Sequence, residues 1–415
     1  MLKKFKKCLA ALLTAAVTVS CAGCGTGKST AYAMTIDGYQ LKAGIYILYQ
    51  NLALEEAKSL AQNENADIDT TDEDALEDTV IEGRDFLDWV NEKTMASCRE
   101  HVAIIKKFDE MNLELEEDYI ENAESYAASL YEDTSSNQYY LNGIGEESFK
   151  EFLLNSYKSS ELFDAIYGEG GTENIQESEI KDYYIENNSR VKYVDIDLHD
   201  TEGNELDDAG KKEMKDMANK FLTTVKNASS EEDMLSKFND IQEEYDEYVA
   251  KKTAEAAGEE AEAPTEAVTT TTVAETETNT TTTTTTTDPY ANESIIPVVT
   301  TNEDSTEEDI TYYPSKEFYD WVYNTATKTG VPEIIENDNT IYIAVKLDIT
   351  KRLTDDDLWT ESTIENQRFS KYSENMQDKI DEWADALNVD LNEAAVKRYG
   401  PFDFKEPDTA NSYAY

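Results

Sequence analysis

Residues 339–349 read Asn-Thr-Ile-Tyr-Ile-Ala-Val-Lys-Leu-Asp-Ile, and no other stretch of the chain says as much about the fold. Large aliphatic side chains recur at every second position from Ile341 to Ile349, which is the period of a β-strand. Residues 191–198 alternate in the same way, with Asp195 and Asp197 on the polar side. The sequence therefore predicts two strands of a small αβ unit.

Apolar residues at helical spacing surround these two strands. After a turn at Glu202-Gly203, the chain predicts one helix carrying Met214 to Val225 and a second that Ser230 opens. A short helix beginning at Ser315 follows, and the regions before and after the αβ unit are also helical by pattern. The predicted order is helices, a small αβ unit and a final helix packing back on the first ones, so the fold class is α+β.

An abrupt change in composition marks residues 250–311, which consist largely of Ala, Glu and Thr and include eight consecutive threonines at 280–287. Such a segment buries too little apolar surface to offset its ordering entropy. We expect a disordered insertion within the αβ unit. On that interpretation, deleting residues 255–305 shifts the thermal midpoint by only a few degrees.

The N-terminus, residues 1–23, has four lysines, a short apolar run and small residues before Cys24. This is the pattern of a bacterial signal peptide with a lipobox, and the apolar run is too short to span a bilayer. We expect cleavage after Gly23, acylation of Cys24 and an extracytoplasmic protein anchored to the bacterial membrane by lipid. Cys21 is a rival acylation site, and a plain secretory signal is the alternative.

The charge balance restricts the possible partners. With 36 basic and 89 acidic residues, the formal net charge is −53. Nucleic acid is an implausible partner, because phosphate binding needs clustered Lys and Arg. Residues 22–29 fit a loose phosphate-loop pattern, but they follow a signal core rather than a buried strand, so we expect no nucleotide.

Residue types that bind metals are scarce. Cys98 is the only cysteine outside the first 24 residues, and its place in an apolar helical stripe predicts a core residue. His101, beside that stripe, is interpreted as a boundary residue rather than a ligand. Together with His199 these residues form no cluster at ligand spacing, so we expect no metal and no cofactor.

Several segments resemble the SurA/PrsA group of extracytoplasmic foldases. They are the lipobox, the Ile-Asp-Gly turn at 36–38, the helical stretch 143–154 and the stretch 178–184, which leads into the strand at Val191. The resemblance covers most of residues 33–249 and 312–400.

The resemblance implies a domain plan around one inserted module. Residues 24–190 would form a helical chaperone domain similar to the N-terminal region of SurA. Residues 191–349 would form a parvulin-like αβ module that carries the disordered insertion. Residues 350–415 would form a C-terminal helical segment packing on the first domain.

In that family the central module is a peptidyl-prolyl isomerase whose first and last strands each carry a histidine facing the pocket. Here Asp195 stands at the first position and Tyr342 near the second, so both histidines are missing. The family's Gly-Gly-x-Leu-Gly stretch is also absent. A carboxylate and a phenol can supply a polar pocket floor, but a strand-face acid and a packing aromatic on a degenerate module are the favoured interpretation.

Three functions follow as expectations. The first is a lipid-anchored chaperone or foldase that binds unfolded secreted polypeptides and whose parvulin-like module does not catalyse. The second is an active prolyl isomerase with an unusual pocket formed by Asp195 and Tyr342. The third is a structural cell-surface lipoprotein in which the Thr-rich segment acts as a spacer.

Overall fold

A computed structural model describes the protein at residues 31–134, 137–257, 288–299, 310–354 and 357–404. The predicted signal peptide, Cys24 and Cys21 lie outside the described residues. So do 258–287 and 300–309 of the predicted insertion. No described helix is both long enough and apolar enough to cross a membrane.

The chain divides into two units. We call the described residues up to 175 together with those from 372 onward the helical unit, and residues 176–371 the sheet unit. The sheet unit therefore begins before residue 191 and ends after residue 349, the predicted limits of the αβ module. Residues 176–190 and 350–371 belong to the sheet unit because the helix Glu177–Asn187 leads directly into its first strand and Trp359 is buried there, donating to Glu177 at 2.6 Å.

The helical unit contains, in chain order, β1 (Tyr32–Ile36), β2 (Tyr39–Lys42), α1 (Ala43–Glu64), α2 (Glu73–Glu77), β3 (Val80–Ile81), β4 (Arg84–Asp85), α3 (Phe86–Glu110), α4 (Glu117–Tyr131), α5 (Gln138–Leu141) and α6 (Glu146–Tyr167). The sheet unit contains α7 (Glu177–Asn187), β5 (Asn188–Asp197), α8 (Asp208–Lys226), α9 (Glu231–Ala257), β6 (Glu293–Pro297), α10 (Lys316–Tyr323), β7 (Glu333–Glu336) and β8 (Thr340–Leu347). Helix α11 (Glu361–Asp385) crosses the boundary, and β9 (Val389–Leu391) and α12 (Glu393–Val396) complete the helical unit.

The helical unit has its core between α1, α3 and α6, with Cys98 fully buried as predicted. A two-residue turn with positive φ at Asp37 and Gly38 joins β1 to β2, as a tight hairpin requires. Strand β9 pairs with the other edge of β1, so the sheet order is β2-β1-β9. The C-terminal segment thus contains a strand that the helical pattern did not predict.

The sheet unit is built on one antiparallel sheet of order β6-β5-β8-β7. Helices α8 and α9 cover one face with the predicted apolar stripes, packing on the aliphatic residues of β5 and β8. Helix α10 covers the other face with Phe318 and Val322. Ser315 caps α10 by accepting from the backbone N–H of Phe318, which confirms the predicted start. The α+β class is therefore correct.

The predicted disorder of residues 250–311 is wrong in two described places. Helix α9 runs on to Ala257, because the Ala, Lys and Glu at its end are strong helix formers. Residues 293–297 form β6, whose two isoleucines are of a type favoured in strands and which pairs with β5 over its whole length. A deletion of residues 255–305 removes this edge strand, so the expectation of a small effect is withdrawn.

Candidate functional site

The pairing of β5 with β8 places Asp195 directly opposite Tyr342. Side chains of directly opposed residues in an antiparallel pair lie on the same face of the sheet. The structure thus brings together the two residues that the sequence analysis predicted to stand at the histidine positions. Both lie on the face that α10 covers.

The surroundings of these two side chains differ sharply. Tyr342 is only 5% exposed, whereas Asp195 is exposed to solvent. The Tyr342 ring packs edge-on against Phe318, with ring centres 5.1 Å apart, and lies 6.0 Å from Tyr193. Among the described residues, no hydrogen bond joins the Asp195 carboxylate to the Tyr342 hydroxyl. Tyr342 is therefore placed as a packing residue rather than as the floor of an open pocket.

Tyr193 is the other phenol on this face. Its hydroxyl donates to that of Tyr313 at 3.4 Å. Burial, followed by this hydrogen bond, raises the pKa of Tyr193 above its ordinary value. The phenol therefore stays protonated at neutral pH and can act as a hydrogen-bond donor but not as a base.

Two buried cations on β5 bind the segment that follows the Thr-rich stretch in sequence. Arg190 is fully buried, and its Nε donates to Glu293 Oε2 at 2.9 Å. Lys192 donates to the backbone oxygens of Pro289 at 2.8 Å and Ala291 at 2.7 Å. Burial lowers the pKa of Lys192 to about 8. These contacts fix β6 at the edge of the sheet.

Sequence reasoning missed this cluster, although a signal was present. Extending the alternation of residues 194–198 backwards places Arg190 and Lys192 on the buried side of the strand. A buried cation needs a partner, because an unpaired charge is costly away from water. The pattern alone does not reveal that the partner of Arg190 lies 103 residues away.

A second polar cluster lies in the helical unit around Glu151. Lys42 Nζ is 2.7 Å from Glu151 Oε2, and the Tyr39 hydroxyl donates to the same carboxylate. The ring of His101 is fully buried, with Nδ1 3.0 Å from the Tyr49 hydroxyl and Nε2 3.7 Å from Glu151 Oε1. The interpretation of His101 as a boundary residue is thus wrong, since the ring lies inside the unit between α1, α3 and α6.

The ionisation states in this cluster follow from burial and pairing. Burial lowers the pKa of His101, so the imidazole is neutral at pH 7. Burial alone raises the pKa of Glu151, but interactions with His101, Lys42 and Tyr39 outweigh it and lower the pKa to about 2. Glu151 is therefore an anion that this cluster already neutralises.

Several large apolar side chains are exposed on α4 and α5. A cavity of ≈ 410 Å³ lies there, lined by Tyr126, Ser129, Leu130, Glu132, Asp133 and Asn137. Tyr126 is 59% exposed and, farther along the same segment, Tyr140 is 53% exposed and Leu141 46%. Apolar side chains usually lie exposed singly, whereas clusters mark binding surfaces.

Among the residues that the structure describes, no group of three or more His, Cys, Asp or Glu side chains can hold a metal ion. Comparison of the chain with protein-family models, with curated proteins and with solved structures returned no match.

Proposed function

We propose that this protein is a lipid-anchored extracytoplasmic chaperone of the foldase type, which binds unfolded or partly folded secreted polypeptides. In this proposal the helical unit holds the client, and the sheet unit is a parvulin-like module without catalysis. The predicted signal sequence and lipobox cysteine, Cys24, support a location outside the cytoplasm with attachment to the bacterial membrane.

The architecture of the sheet unit supports the resemblance that motivated this proposal. A four-stranded antiparallel sheet with helices on both faces is the arrangement expected of a parvulin-like module. Residues 191–249 and 312–349 supply most of it, and β6 comes from the stretch between them. Because one fold hosts many functions, this observation bears on the family and not on the activity.

The burial of Tyr342 argues against catalysis. Rotation of a prolyl amide crosses a barrier near 20 kcal/mol, and lowering it requires a pocket that holds the twisted amide beside fixed polar groups. Phe318 and Tyr193 occupy the space next to the Tyr342 ring, and Asp195 is exposed to solvent. The pair therefore lacks the enclosed polar floor that the reaction needs.

The observation that carries client binding is the exposure of two tyrosines of the helical unit, Tyr126 on α4 and Tyr140 on α5. Unfolded polypeptides are recognised by their exposed apolar side chains, and burying such side chains contributes roughly 25 cal/mol per Å². Tyrosines offer large contact areas and can also hydrogen-bond to a backbone. Tyr126 and Tyr140 are thus suited to bind apolar segments of many sequences.

Two assays on one preparation test this proposal. We expect the purified protein to leave the rate of cis to trans conversion of proline peptides unchanged, across a panel of residues preceding proline. We expect it to suppress aggregation of a chemically unfolded client. Isomerisation that Asp195→Ala abolishes would instead establish the enzyme, and failure in both assays would favour the structural lipoprotein.

Variants of the apolar surface locate the binding site. Tyr126→Ser combined with Tyr140→Ser should weaken client binding roughly tenfold, because two exposed anchors are removed. Phe369→Ser is the matched control, since Phe369 is 60% exposed but belongs to the sheet unit. The affinity for the client is measured by the anisotropy of the client. An equal loss of affinity in both variants would show that the client binds elsewhere.

The anchor is tested separately. Replacing Cys24 with Ala should release the protein from membranes or leave its signal uncleaved, because the thiol that carries the acyl chains is gone. Cys21→Ala is the matched control and should leave attachment unchanged. Fractionation and metabolic labelling with a fatty acid decide the result, and labelled Cys24→Ala protein in the membrane would refute the assignment.

A further inference from the structure

The last described residues of the chain form an aromatic segment that packs on the helical unit. Residues 399–404 read Tyr-Gly-Pro-Phe-Asp-Phe, and we call them the C-terminal strap. Tyr399 and Phe404 pack against the cluster that contains the first half of α1, and Phe402 packs against the cluster that contains its second half. The strap therefore bridges two parts of the apolar core along one helix.

The surface that the strap covers is more deeply buried than the strap itself. Phe86 is fully buried, and its ring is stacked on that of Phe402 with the ring centres 6.2 Å apart. Ile47 of α1 is 5% exposed. In contrast, every residue of the strap is half-buried or exposed. Segments with few buried contacts open at a lower free energy than the core that they cover.

One buried polar side chain of this surface binds the strap through its backbone. Gln50 is only 4% exposed, and its Nε2 donates to the backbone oxygen of Tyr399 at 3.1 Å and to the Tyr46 hydroxyl at 3.2 Å. Among the described residues, the bond to Tyr399 is the one hydrogen bond between the strap and any residue before 396. Every residue has a backbone carbonyl, so this donor accepts segments of many sequences.

The strap fills the space on α1 incompletely. A cavity of ≈ 30 Å³ remains, lined by Ile47, Gln50 and Asn51 together with residues of the strap. Asn142 also lines this cavity and directly follows Leu141, which is 46% exposed at the end of α5. The groove under the strap thus borders the segment at which client binding is proposed.

We propose that this groove binds client segments in which aromatic residues flank a proline, and that such a segment displaces the C-terminal strap. The strap itself indicates the occupant, because it presents rings to the apolar surface and a backbone carbonyl to Gln50. Its proline restricts the backbone and so lowers the entropy lost on binding. The proposal rests on the proposed function, because the partner it names is part of the same unfolded clients.

The strap is then an internal competitor of the client. A tethered segment competes at a high effective concentration, and the apparent affinity of a ligand falls with the fraction of the protein that is open. Clients with a single poorly matched segment are therefore excluded from the groove. Weakening the strap should raise the affinity for a free segment.

The probe is the strap as a free peptide, acetyl-Tyr-Gly-Pro-Phe-Asp-Phe-amide carrying a fluorophore. Phe402→Ser in the full chain removes the ring stacked on Phe86 and should raise the affinity for the probe, measured by its anisotropy, roughly tenfold. Tyr157→Ser is the matched control, because it removes a ring stacked on Tyr119 in the same unit, with centres 4.7 Å apart, but outside the strap. It should leave the affinity unchanged.

Two further measurements locate the bound probe. With benzoylphenylalanine as the first of the probe's two phenylalanines, photo-cross-links to Phe402→Ser protein should map to residues 47–51 and to Phe86. Adding Gln50→Ala to Phe402→Ser should lower the affinity several-fold, because the probe loses the donor to its carbonyl. Cross-links confined to other segments, or an unchanged affinity without Gln50, would overturn the proposal.

Circular dichroism and urea unfolding distinguish an opened groove from an unfolded core. Phe402→Leu is the second variant, since it keeps an apolar side chain but lacks the ring, and it should raise the affinity by a smaller factor. Unfolding of Phe402→Ser together with no gain in Phe402→Leu would show that the strap is part of the core, which refutes the proposal. So would an unchanged affinity in folded Phe402→Ser.

Aggregation suppression, measured on the same preparations, separates this result from the proposed function. Suppression by the unmodified protein, with no probe binding in any variant, refutes only the groove. Probe binding to Phe402→Ser, with no suppression by any variant, refutes the chaperone.

Discussion

Replacing Glu293 by glutamine should lower the free energy of unfolding of the sheet unit by about 3–5 kcal/mol, the usual effect of breaking a buried ion pair. The Glu293 side chain is only 6% exposed and lies between two guanidinium groups, those of Arg190 and Arg352. Arg190 is fully buried, and without the Glu293 carboxylate it keeps only the more distant Glu231, at 3.7 Å, and the backbone oxygen of Asp348. Strand β6 should detach from the edge of the sheet.

Urea denaturation and hydrogen exchange test this expectation together. The midpoint should fall, and the backbone amides of β6 and the adjoining edge of β5 should exchange faster. Glu205→Gln is the matched control, because Glu205 pairs with Lys211 in the same unit but is 65% exposed. It should leave the midpoint unchanged. Equal effects from both substitutions would show that the buried pair does not hold β6.

Truncating Phe318 to alanine is the second large effect we expect. Phe318 is fully buried, with its ring centre 4.9 Å from that of Tyr193 and 5.1 Å from that of Tyr342. Removing a buried phenyl group costs about 3–5 kcal/mol through lost transfer energy and the cavity that remains. Helix α10 should then lose its hold on the sheet.

The same experiment bears on the role of Tyr342. If the ring packs and does no chemistry, Tyr342→Phe should leave the thermal midpoint nearly unchanged. Phe369→Ala is the control for Phe318→Ala, since its side chain is 60% exposed in the same unit. A small effect of Phe318→Ala on thermal unfolding would contradict the description of this face as a packed core.

Local patterns predicted the helices and strands in which one continuous segment has a single apolar face. The alternation at 339–349 and 191–198 predicted β8 and β5, and the apolar spacing before and after them predicted α8, α9 and α10. Such patterns are readable because the period of side chains along an element depends on local backbone geometry. The predicted signal peptide and the predicted acylation of Cys24 lie outside the described residues and stay predictions.

Only the tertiary structure showed which distant segments of the chain pair as strands. Residues 293–297 follow a Thr-rich stretch and are too short for a periodic signal, yet they complete the sheet because β5 offers an unpaired edge and Arg190 offers a buried charge. The pairing of β9 with β1 is hidden for the same reason. Register between strands depends on which surfaces are buried together, and no local window contains that information.

Sequence and tertiary structure also contributed different information about the candidate site. The sequence by itself placed Asp195 and Tyr342 on two predicted strands. The tertiary structure decided that they lie opposite each other and that one is exposed and the other packed against Phe318, because burial depends on which elements cover that face of the sheet.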